Sequence, residues 1–278
     1  MVLSERYEQR STKIKRKYFK LFFKMNNNKK IALITGATSG IGRAIANIFA
    51  KNNINLIICG RREERLTQAQ DELSKETDVI TLQFDVSDKI GVQNAINSLP
   101  ENWKKIDILV NNAGNAHGFS PIQEGNLDDW DAMLASNVTG LLYVSRAIMP
   151  DMVAKKAGHI INIGSIAGKA AYPNGNVYCA TKAAVDTLTQ SMRLDLNPYN
   201  IKVTAIHPGA AETEFSVVRF KGDTERAKKA YLGYTPLCAN DVAEAVLFVV
   251  TRPAHVCVSD MVIYPTAQAS ATITNKSI

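Results

Sequence analysis

From about residue 30 onward, short apolar runs alternate with longer segments in which apolar residues recur every three or four positions. Short apolar runs bounded by turn residues predict buried strands, and the longer period predicts amphipathic helices. Seven strands are predicted in this way, at residues 30–36, 54–60, 79–85, 106–114, 158–165, 201–209 and 260–265. Helices are predicted at 40–53, 61–76, 87–100, 127–153, 176–196 and 241–250, with Ser87 as the N-cap of the third.

The regular alternation of strand and helix predicts βαβ units and therefore a parallel sheet covered on both faces. Right-handed crossovers make such a sheet doubly wound. We therefore expect an α/β protein with a single-domain Rossmann fold over residues 30–268, built on a doubly wound parallel seven-stranded sheet with helices on both faces. Residues 269–278 are expected to form a C-terminal tail. Residues 211–234 interrupt the alternation, and an insertion there should lie over the carboxyl ends of the strands, where such folds bind ligands.

Positive charge is concentrated at the start of the chain. The net charge is +7, but residues 1–30 hold ten Lys/Arg and two Glu, whereas the rest of the chain holds 23 Lys/Arg and 24 Asp/Glu. The body of the protein therefore gives no electrostatic support for nucleic-acid binding. Residues 1–29 are expected to be a basic extension outside the fold.

The role of this extension stays open. An apolar stripe between its lysines is typical of a helix on an anionic membrane surface or of a transit peptide, and consists of Ile14, Tyr18, Phe22 and Met25. Met25 also begins a short lead into the first strand, which favours a dispensable extension. No uncharged apolar run reaches 18 residues, so a membrane span is not expected. The four scattered cysteines indicate reduced thiols and a cytoplasmic protein, and their spacing predicts no metal site.

A glycine-rich turn links the first strand to the first helix. It reads TGATSGIG, residues 35–42, and includes Gly36, Thr38, Ser39, Gly40, Ile41 and Gly42. Glycines allow a tight turn and a close backbone approach, and a helix N-terminus offers free N–H groups and a positive dipole end to a pyrophosphate. The spacing differs from G-x-G-x-x-G, so the motif by itself is a moderate indication of a dinucleotide site.

The end of the second strand indicates which dinucleotide is bound. NAD sites usually carry a carboxylate there for the ribose 2′-hydroxyl. This chain has Gly60 at that place, followed by Arg61 and Arg62. Guanidinium groups bind a 2′-phosphate, so the cofactor is predicted to be NADP. Asp85 and Val86, at the end of the third strand, are expected to border the adenine.

The fourth strand ends in NNAG, in which Asn112, Ala113 and Gly114 are expected to approach the cofactor. Together with TGATSGIG, Asn137 in SNVTG, Ser165, YCATK (178–182) and HPG (207–209), this motif makes residues 30–265 similar to the short-chain dehydrogenase/reductase family. The chain further resembles the branch of NADP-dependent 3-hydroxy acid dehydrogenases, in stretches such as ETEFSVVRFKGD and YPTAQAS.

The resemblance implies roles for four residues. Tyr178 would be the general acid/base, and Lys182 would bind the nicotinamide ribose and lower the pKa of Tyr178. Their four-residue spacing puts them on one helix face, and a nearby cation favours phenolate. Ser165 would hydrogen-bond the reacting oxygen, and Asn137 would hold a water that links Lys182 to solvent. Pro208, Gly209 and Thr213 are expected to contact the cofactor.

A 3-hydroxy acid carries a carboxylate, so a cation should face it. Arg219 and Lys221 are the candidates, and Arg219 is the preferred substrate-binding residue, alongside Ser165 and Tyr178. A solvated basic loop or a subunit contact is an equally open interpretation of these charges. His207, directly before Pro208, is expected to be structural, and His117 is an unassigned candidate for the pocket.

The sequence thus predicts an NADP-dependent oxidoreductase that transfers hydride between NADP(H) and the C3 hydroxyl or carbonyl of a small 3-hydroxy acid, such as serine, allo-threonine or 3-hydroxypropionate. A 3-oxoacyl thioester reductase or a general carbonyl reductase is the alternative within the family. A non-catalytic NADP-binding regulator is the alternative outside enzymes, although such proteins typically lose Tyr or Lys. The resemblance also implies a homotetramer.

Overall fold

The computed structural model describes residues 29–276, so the predictions made for the basic extension lie outside the described residues, except at Lys29. The described residues from Ile31 onward form one compact unit. The proposed boundaries at residues 29/30 and 268/269 stay predictions. Within the described residues, no helix is both long enough and apolar enough to cross a membrane.

Seven parallel strands form the central sheet, in the order β3-β2-β1-β4-β5-β6-β9. Their bounds are β1 Ile31–Thr35, β2 Asn55–Gly60, β3 Val79–Gln83, β4 Ile108–Asn111, β5 Gly158–Ile163, β6 Ile201–Pro208 and β9 Asp260–Ile263. The order reverses between β1 and β4, which is the switch point where doubly wound folds bind ligands. The predicted seven-stranded, doubly wound sheet is confirmed.

Helices cover both faces of the sheet. Their bounds are α1 Gly40–Lys51, α2 Glu63–Leu73, α3 Lys89–Asn97, α4 Leu127–Leu134, α5 Gly140–Lys155, α6 Asn176–Leu196, α7 Phe215–Arg219, α8 Thr224–Lys229 and α9 Ala239–Val250. Successive residues of β1 point to opposite faces: Ala32 and Ile34 pack with α1, α2 and α9, and Ile31 and Leu33 pack with α3, α5 and α6. Strands buried on both faces explain the unbroken apolar runs in the sequence.

Two local predictions need correction. The N-cap of α3 is Asp88, whose carboxylate accepts a hydrogen bond from the Ile90 amide, and not Ser87. Ser87 instead donates its hydroxyl to Asp85, at 2.7 Å. The long helix predicted over 127–153 is interrupted by one π-helical turn, Ala135–Thr139, between α4 and α5.

The segment that interrupts the alternation has structure of its own. It holds α7 and α8, flanked by β7 (Ala211–Glu212) and β8 (Leu237–Cys238), which pair as a small parallel ribbon. Periodicity did not predict these elements because each is too short to show a period. We call residues 211–238 the insertion.

Candidate active site

A cleft of about 760 Å³ lies at the carboxyl ends of β1, β2, β4, β5 and β6. The glycine turn and the insertion both contribute to its wall. Most of the residues that the sequence singled out line this cleft: Gly36, Thr38, Ser39, Gly40, Ile41, Arg61, Arg62, Asp85, Val86, Asn112, Ala113, Gly114, His117, Ser165, Tyr178, Lys182, Pro208, Gly209, Thr213 and Arg219. Gly42 and Asn137 do not line the cleft but pack against lining residues, Gly42 against Gly36 and Asn137 against Gly114. The volume is within the usual range for cofactor and ligand sites.

The glycine turn has a backbone that other residues would strain. Gly36 and Gly40 have φ angles of 65° and 51°, which L side chains rarely adopt. A Cβ on Gly42 would lie 2.3 Å from the Gly36 carbonyl oxygen, so this position needs glycine for packing. Ser39, the N-cap of α1, makes no side-chain cap hydrogen bond. The first N–H groups of α1 are therefore available to a phosphate, and the turn fits a dinucleotide.

Side chains from β1 and β4 tie the glycine turn to the NNAG segment. The Asn112 amide donates to the carbonyl oxygens of Thr35 and Gly36, at 3.0 and 3.2 Å. The Thr35 hydroxyl accepts from the main-chain N–H groups of Asn112 and Ala113, both at 3.0 Å. Thr35 was not predicted as a site residue, although a polar residue at the end of a buried strand is a usable signal.

At the end of β2, arginines stand where an NAD site would carry a carboxylate. Arg61 is 71% exposed, and its guanidinium lies 3.3 Å from the Asp85 carboxylate. Burial raises the pKa of Asp85, but hydrogen bonds from Ser87 and the charge of Arg61 outweigh this and lower it. A Cβ on Gly60 would approach Thr38 to 2.9 Å, so glycine keeps this corner open. The corner fits a 2′-phosphorylated ribose.

Tyr178 and Lys182 lie side by side on α6, both buried. The Lys182 ammonium is 5.9 Å from the centre of the Tyr178 ring and donates to the Ile163 carbonyl oxygen at 2.9 Å. Burial lowers the pKa of Lys182 to about 8. Burial also raises the pKa of Tyr178, while the Ser165 hydrogen bond and the Arg219 charge act to lower it. The expected lowering of the Tyr178 pKa by Lys182 is not found: burial keeps this pKa raised, and the cation that acts to lower it is Arg219.

Asn137 sits in the π-helical turn, and its side chain is fully engaged. Its amide oxygen accepts from the Asn115 N–H at 2.8 Å, and its amide nitrogen donates to the Asn115 carbonyl and the Thr181 hydroxyl. A water at Asn137 would therefore have to use its main chain, where the π-helical turn disturbs the regular hydrogen bonding. The predicted water-holding role stays a prediction.

Arg219, at the end of α7, is enclosed by aromatic rings. Its guanidinium lies 4.9 Å from the Phe119 ring, 5.5 Å from Tyr172 and 5.3 Å from Tyr178. It donates to the Tyr172 hydroxyl at 2.8 Å. Its Nε is buried without a hydrogen-bond partner among the described residues. Arg219 also lines the cleft, so a guanidinium is present where an anion could bind. Phe119 and Tyr172 were missed, because no local pattern links them to Arg219.

Lys221, the other predicted cation, is engaged elsewhere. Its ammonium pairs with the Asp129 carboxylate at 2.9 Å and is 58% exposed. His117 lies beside this pair, and its pKa is lowered by burial, partly offset by the charge of Asp129. The Gly118 N–H donates to the Arg219 carbonyl at 3.1 Å. These contacts connect the loop after β4 to the insertion and leave Arg219 as the better-placed cation.

His207 is fully buried and does not line the cleft. Its structural role stays a prediction. It lies beside Asp186 and Asp260, and these three residues form a cluster that could hold a metal ion by distance. The Lys169 ammonium contacts both carboxylates, however, and supplies the positive charge there.

This chain matches the family model described as short chain dehydrogenase over residues 30–223. The chain belongs to the short-chain dehydrogenase family. It is 46% identical to the NADP-dependent 3-hydroxy acid dehydrogenase YdfG of Salmonella typhi, over 87% of this chain and 97% of that protein. It is also 46% identical to sulfoacetaldehyde reductase 2 of Chromohalobacter salexigens, over 86% of this chain and 95% of that protein.

Solved structures of short-chain dehydrogenases share the fold. The closed form of serine dehydrogenase complexed with NADP⁺ superposes with a TM-score of 0.84 at 44% identity, covering 88% of this chain and 98% of that one. This short-chain dehydrogenase is accordingly an oxidoreductase, and the predicted resemblance to 3-hydroxy acid dehydrogenases is confirmed at the level of sequence similarity.

Proposed function

We propose that this protein is an NADP-dependent dehydrogenase that interconverts the C3 hydroxyl and carbonyl of a small 3-hydroxy acid. The observation that carries the proposal is the Arg219 guanidinium, which lies 5.3 Å from the Tyr178 ring in the cleft that also holds the glycine turn. One cleft thus offers a dinucleotide cradle, a proton donor and a fixed cation for an acid group. The relatives named for 3-hydroxy acids support the same substrate class.

NADP fits the residues at the β2 corner. Arg61 and Arg62 would hold the 2′-phosphate, and the N-terminus of α1 would hold the pyrophosphate. Asp85 and Val86 would border the adenine. When bound, the nicotinamide supplies the hydride in reduction and accepts it in oxidation.

The remaining chemistry falls to the chain's own residues. In reduction, Tyr178 donates its phenolic proton to the substrate oxygen, and Ser165 hydrogen-bonds the same oxygen. Burial favours the protonated form of Tyr178 that this step needs. In oxidation the phenolate takes the proton, and the Arg219 charge favours that form. Lys182 holds the nicotinamide ribose, and Arg219 binds the carboxylate.

The substrate cation can be tested with Arg219→Met, with Lys221→Ala as the matched control. Loss of a charge-assisted hydrogen bond of about 1.5–3 kcal/mol corresponds to a rise in KM of roughly 10- to 100-fold. We expect this rise in KM for 3-hydroxypropionate and serine, little change in the KM of a neutral secondary alcohol, and little change in either KM in Lys221→Ala. The loss of the Arg219 charge beside Tyr178 should lower kcat for oxidation of both substrates alike. Equal rises in KM for the acid and the neutral alcohol would refute the assignment.

A sulfonate is a second candidate for the acid group. The guanidinium of Arg219 can bind either anion, and one relative is named for sulfoacetaldehyde. Steady-state kinetics with malonic semialdehyde and sulfoacetaldehyde as competing aldehydes would rank them by kcat/KM. The alternatives of a thioester or general carbonyl reductase would be favoured if only acyl thioesters or neutral ketones turned over. The absence of any turnover would favour an NADP-binding regulator.

The cytoplasmic location and the homotetramer stay expectations. Sedimentation of the purified chain would measure the oligomeric state directly. A monomer at micromolar concentration would remove the tetramer from the proposal without affecting the reaction.

A further inference from the structure

A charged cluster lies behind the cleft wall, where four separate segments meet. Lys169 follows the 3₁₀ turn after Ser165, Asp186 is on α6, His207 is on β6 and Asp260 begins β9. The Lys169 ammonium bonds Asp186 at 3.0 Å and also contacts Asp260. The His207 Nε2 faces both carboxylates, at 3.6 Å from Asp186 and 3.3 Å from Asp260.

The other side of the His207 ring faces the main chain at Ser165. His207 Nδ1 lies 3.3 Å from the Ser165 carbonyl oxygen. A carbonyl oxygen only accepts hydrogen bonds, so a bond here requires the proton on Nδ1. The ring packs closely, because a Cβ on Gly164 would lie 2.4 Å from His207 Nδ1. The imidazole therefore contacts the main chain of Ser165 itself.

The short segment around Ser165, residues 163–168, makes three further hydrogen bonds through its main chain. The Gly164 N–H donates to the Ile206 carbonyl at 2.8 Å, and the Gly168 N–H donates to the Ser165 carbonyl at 2.9 Å. On the cleft side, Lys182 donates to the Ile163 carbonyl at 2.9 Å. Asp186 lies one helical turn beyond Lys182 on α6, so the charged cluster links the helix of Tyr178 and Lys182 to the segment of Ser165.

We propose that His207 is a positioning residue, which sets the Ser165 hydroxyl against the reacting oxygen through its hydrogen bond to the Ser165 carbonyl. On the far side of the ring, His207 Nε2 has no hydrogen-bond partner among the described residues, and Lys169 balances the charge of Asp186 and Asp260 beyond it. The importance of the position of Ser165 rests on the proposed function; the hydrogen bond itself does not.

The charges around His207 are consistent with a neutral ring that carries its proton on Nδ1. Burial and the nearby Lys169 lower the pKa of His207, against the opposing charges of Asp260 and Asp186. A neutral imidazole has one N–H, and the Ser165 carbonyl accepts it. Lys169 then faces the two carboxylates in place of a second ring proton.

Two amide variants separate this role from mere packing. His207→Asn places an amide N–H near the position of Nδ1, so it can still donate to the Ser165 carbonyl. His207→Gln places its amide further out, toward the carboxylates, and loses that bond. We expect His207→Asn to keep kcat within a few-fold, and His207→Gln to lower kcat by about 10- to 100-fold, as misplacement of a reacting group does. KM and the NADPH dissociation constant should change little in both.

Hydrogen exchange provides a readout that does not depend on turnover. In His207→Gln the amide of Gly168, which bonds the Ser165 carbonyl, should exchange faster than in the wild type, while His207→Asn should match the wild type. The proposal is overturned if the two variants have equal kcat and equal exchange, or if His207→Gln is the better enzyme. If the wild type turns over no 3-hydroxy acid, the proposed function fails, and the exchange result still decides the role of His207.

Discussion

The two ends of the cleft are built in different ways. At the cofactor end, the contacts come from main chain and from neighbouring motifs: Gly36 and Gly40 turn the chain, and Thr35 and Asn112 join two strand ends. At the substrate end, Arg219 meets rings from two other segments, Phe119 and Tyr172. A cofactor site that relies on backbone conformation can be predicted from short sequence motifs. A substrate site assembled from side chains that are distant in the chain cannot be predicted in this way.

This difference predicts how each end responds to substitution. Substitutions at the cofactor end should weaken cofactor binding, through steric clash or lost phosphate contacts, and should affect all substrates alike. The substrate end should discriminate between substrates. Tyr178 stands between them, and substitutions there should produce the largest losses.

Tyr178→Phe should lower kcat by about 10²- to 10⁴-fold, because it removes the group that transfers the proton but keeps the ring. The ring contacts with Phe215, at 5.5 Å between centres, and with Arg219 remain possible. NADPH binding, followed by fluorescence titration, should be unchanged. Tyr172→Phe is the matched control, since it removes the hydroxyl of a neighbouring half-buried tyrosine, and it should act mainly on KM. Comparable kcat in the two variants would contradict the role of Tyr178.

Replacing both Arg61 and Arg62 by Ser should reduce the preference for NADP⁺ over NAD⁺ by roughly 10- to 100-fold, as expected for lost guanidinium–phosphate bonds. The effect should lie in the KM for NADP⁺ and be the same for acid and neutral substrates. The single variants would show how much each arginine contributes to the preference for NADP⁺. The two contributions are expected to differ, because Arg61 also pairs with Asp85. An unchanged cofactor ratio would exclude these arginines from the phosphate site.

Lys182→Met should abolish turnover. It should still raise the melting temperature of the cofactor-free protein at pH 7 by about a few degrees, because methionine has a similar shape and replaces a buried cation with an uncharged side chain. The pKa of Lys182 is about 8 in the folded protein, below its ordinary value near 10.4. The folded state therefore binds fewer protons than the unfolded state between these values, and wild-type stability rises with pH there.

The stabilisation by Lys182→Met should consequently shrink as the pH rises from about 8 to 10. Thermal unfolding at a series of pH values would measure it. A difference in melting temperature that is independent of pH would show that Lys182 does not titrate in this range.

Lys221→Ala should have the smallest effect. Its side chain is 58% exposed, although the Asp129 side chain is only 16% exposed, and ion pairs at the surface contribute about 0–1 kcal/mol. We expect at most a few-fold change in KM, equal for acids and neutral alcohols, and a similar result for Asp129→Asn. A selective loss of 3-hydroxy acid turnover in Lys221→Ala would move the carboxylate contact from Arg219 to Lys221.

Strand and helix positions were predictable because both faces of the sheet are buried, which leaves long apolar runs and strong periods. Short elements were not predictable. The helices α7 and α8 and the pair β7–β8 lie in a segment for which the hydrophobic pattern indicated only a break in the alternation of strand and helix. The N-cap of α3 was misplaced by one residue because Ser87 and Asp88 can both cap a helix, and only the chain geometry selects Asp88.

The sequence by itself determined the doubly wound sheet, the glycine turn, the arginines at the end of β2 and the one-turn spacing of Tyr178 and Lys182. The turn, the arginines and the Tyr178–Lys182 spacing depend on residues close together in the chain, and the sheet follows from the repeated alternation of strand and helix. The tertiary structure decided the aromatic enclosure of Arg219, which bonds Tyr172 across 47 residues, and the contact of His207 with Ser165 across 42. It also paired Lys221 with Asp129 and left Arg219 facing the cleft. Such pairings depend on how the loops after different strands meet at one edge of the sheet, and no spacing along the chain encodes that distance.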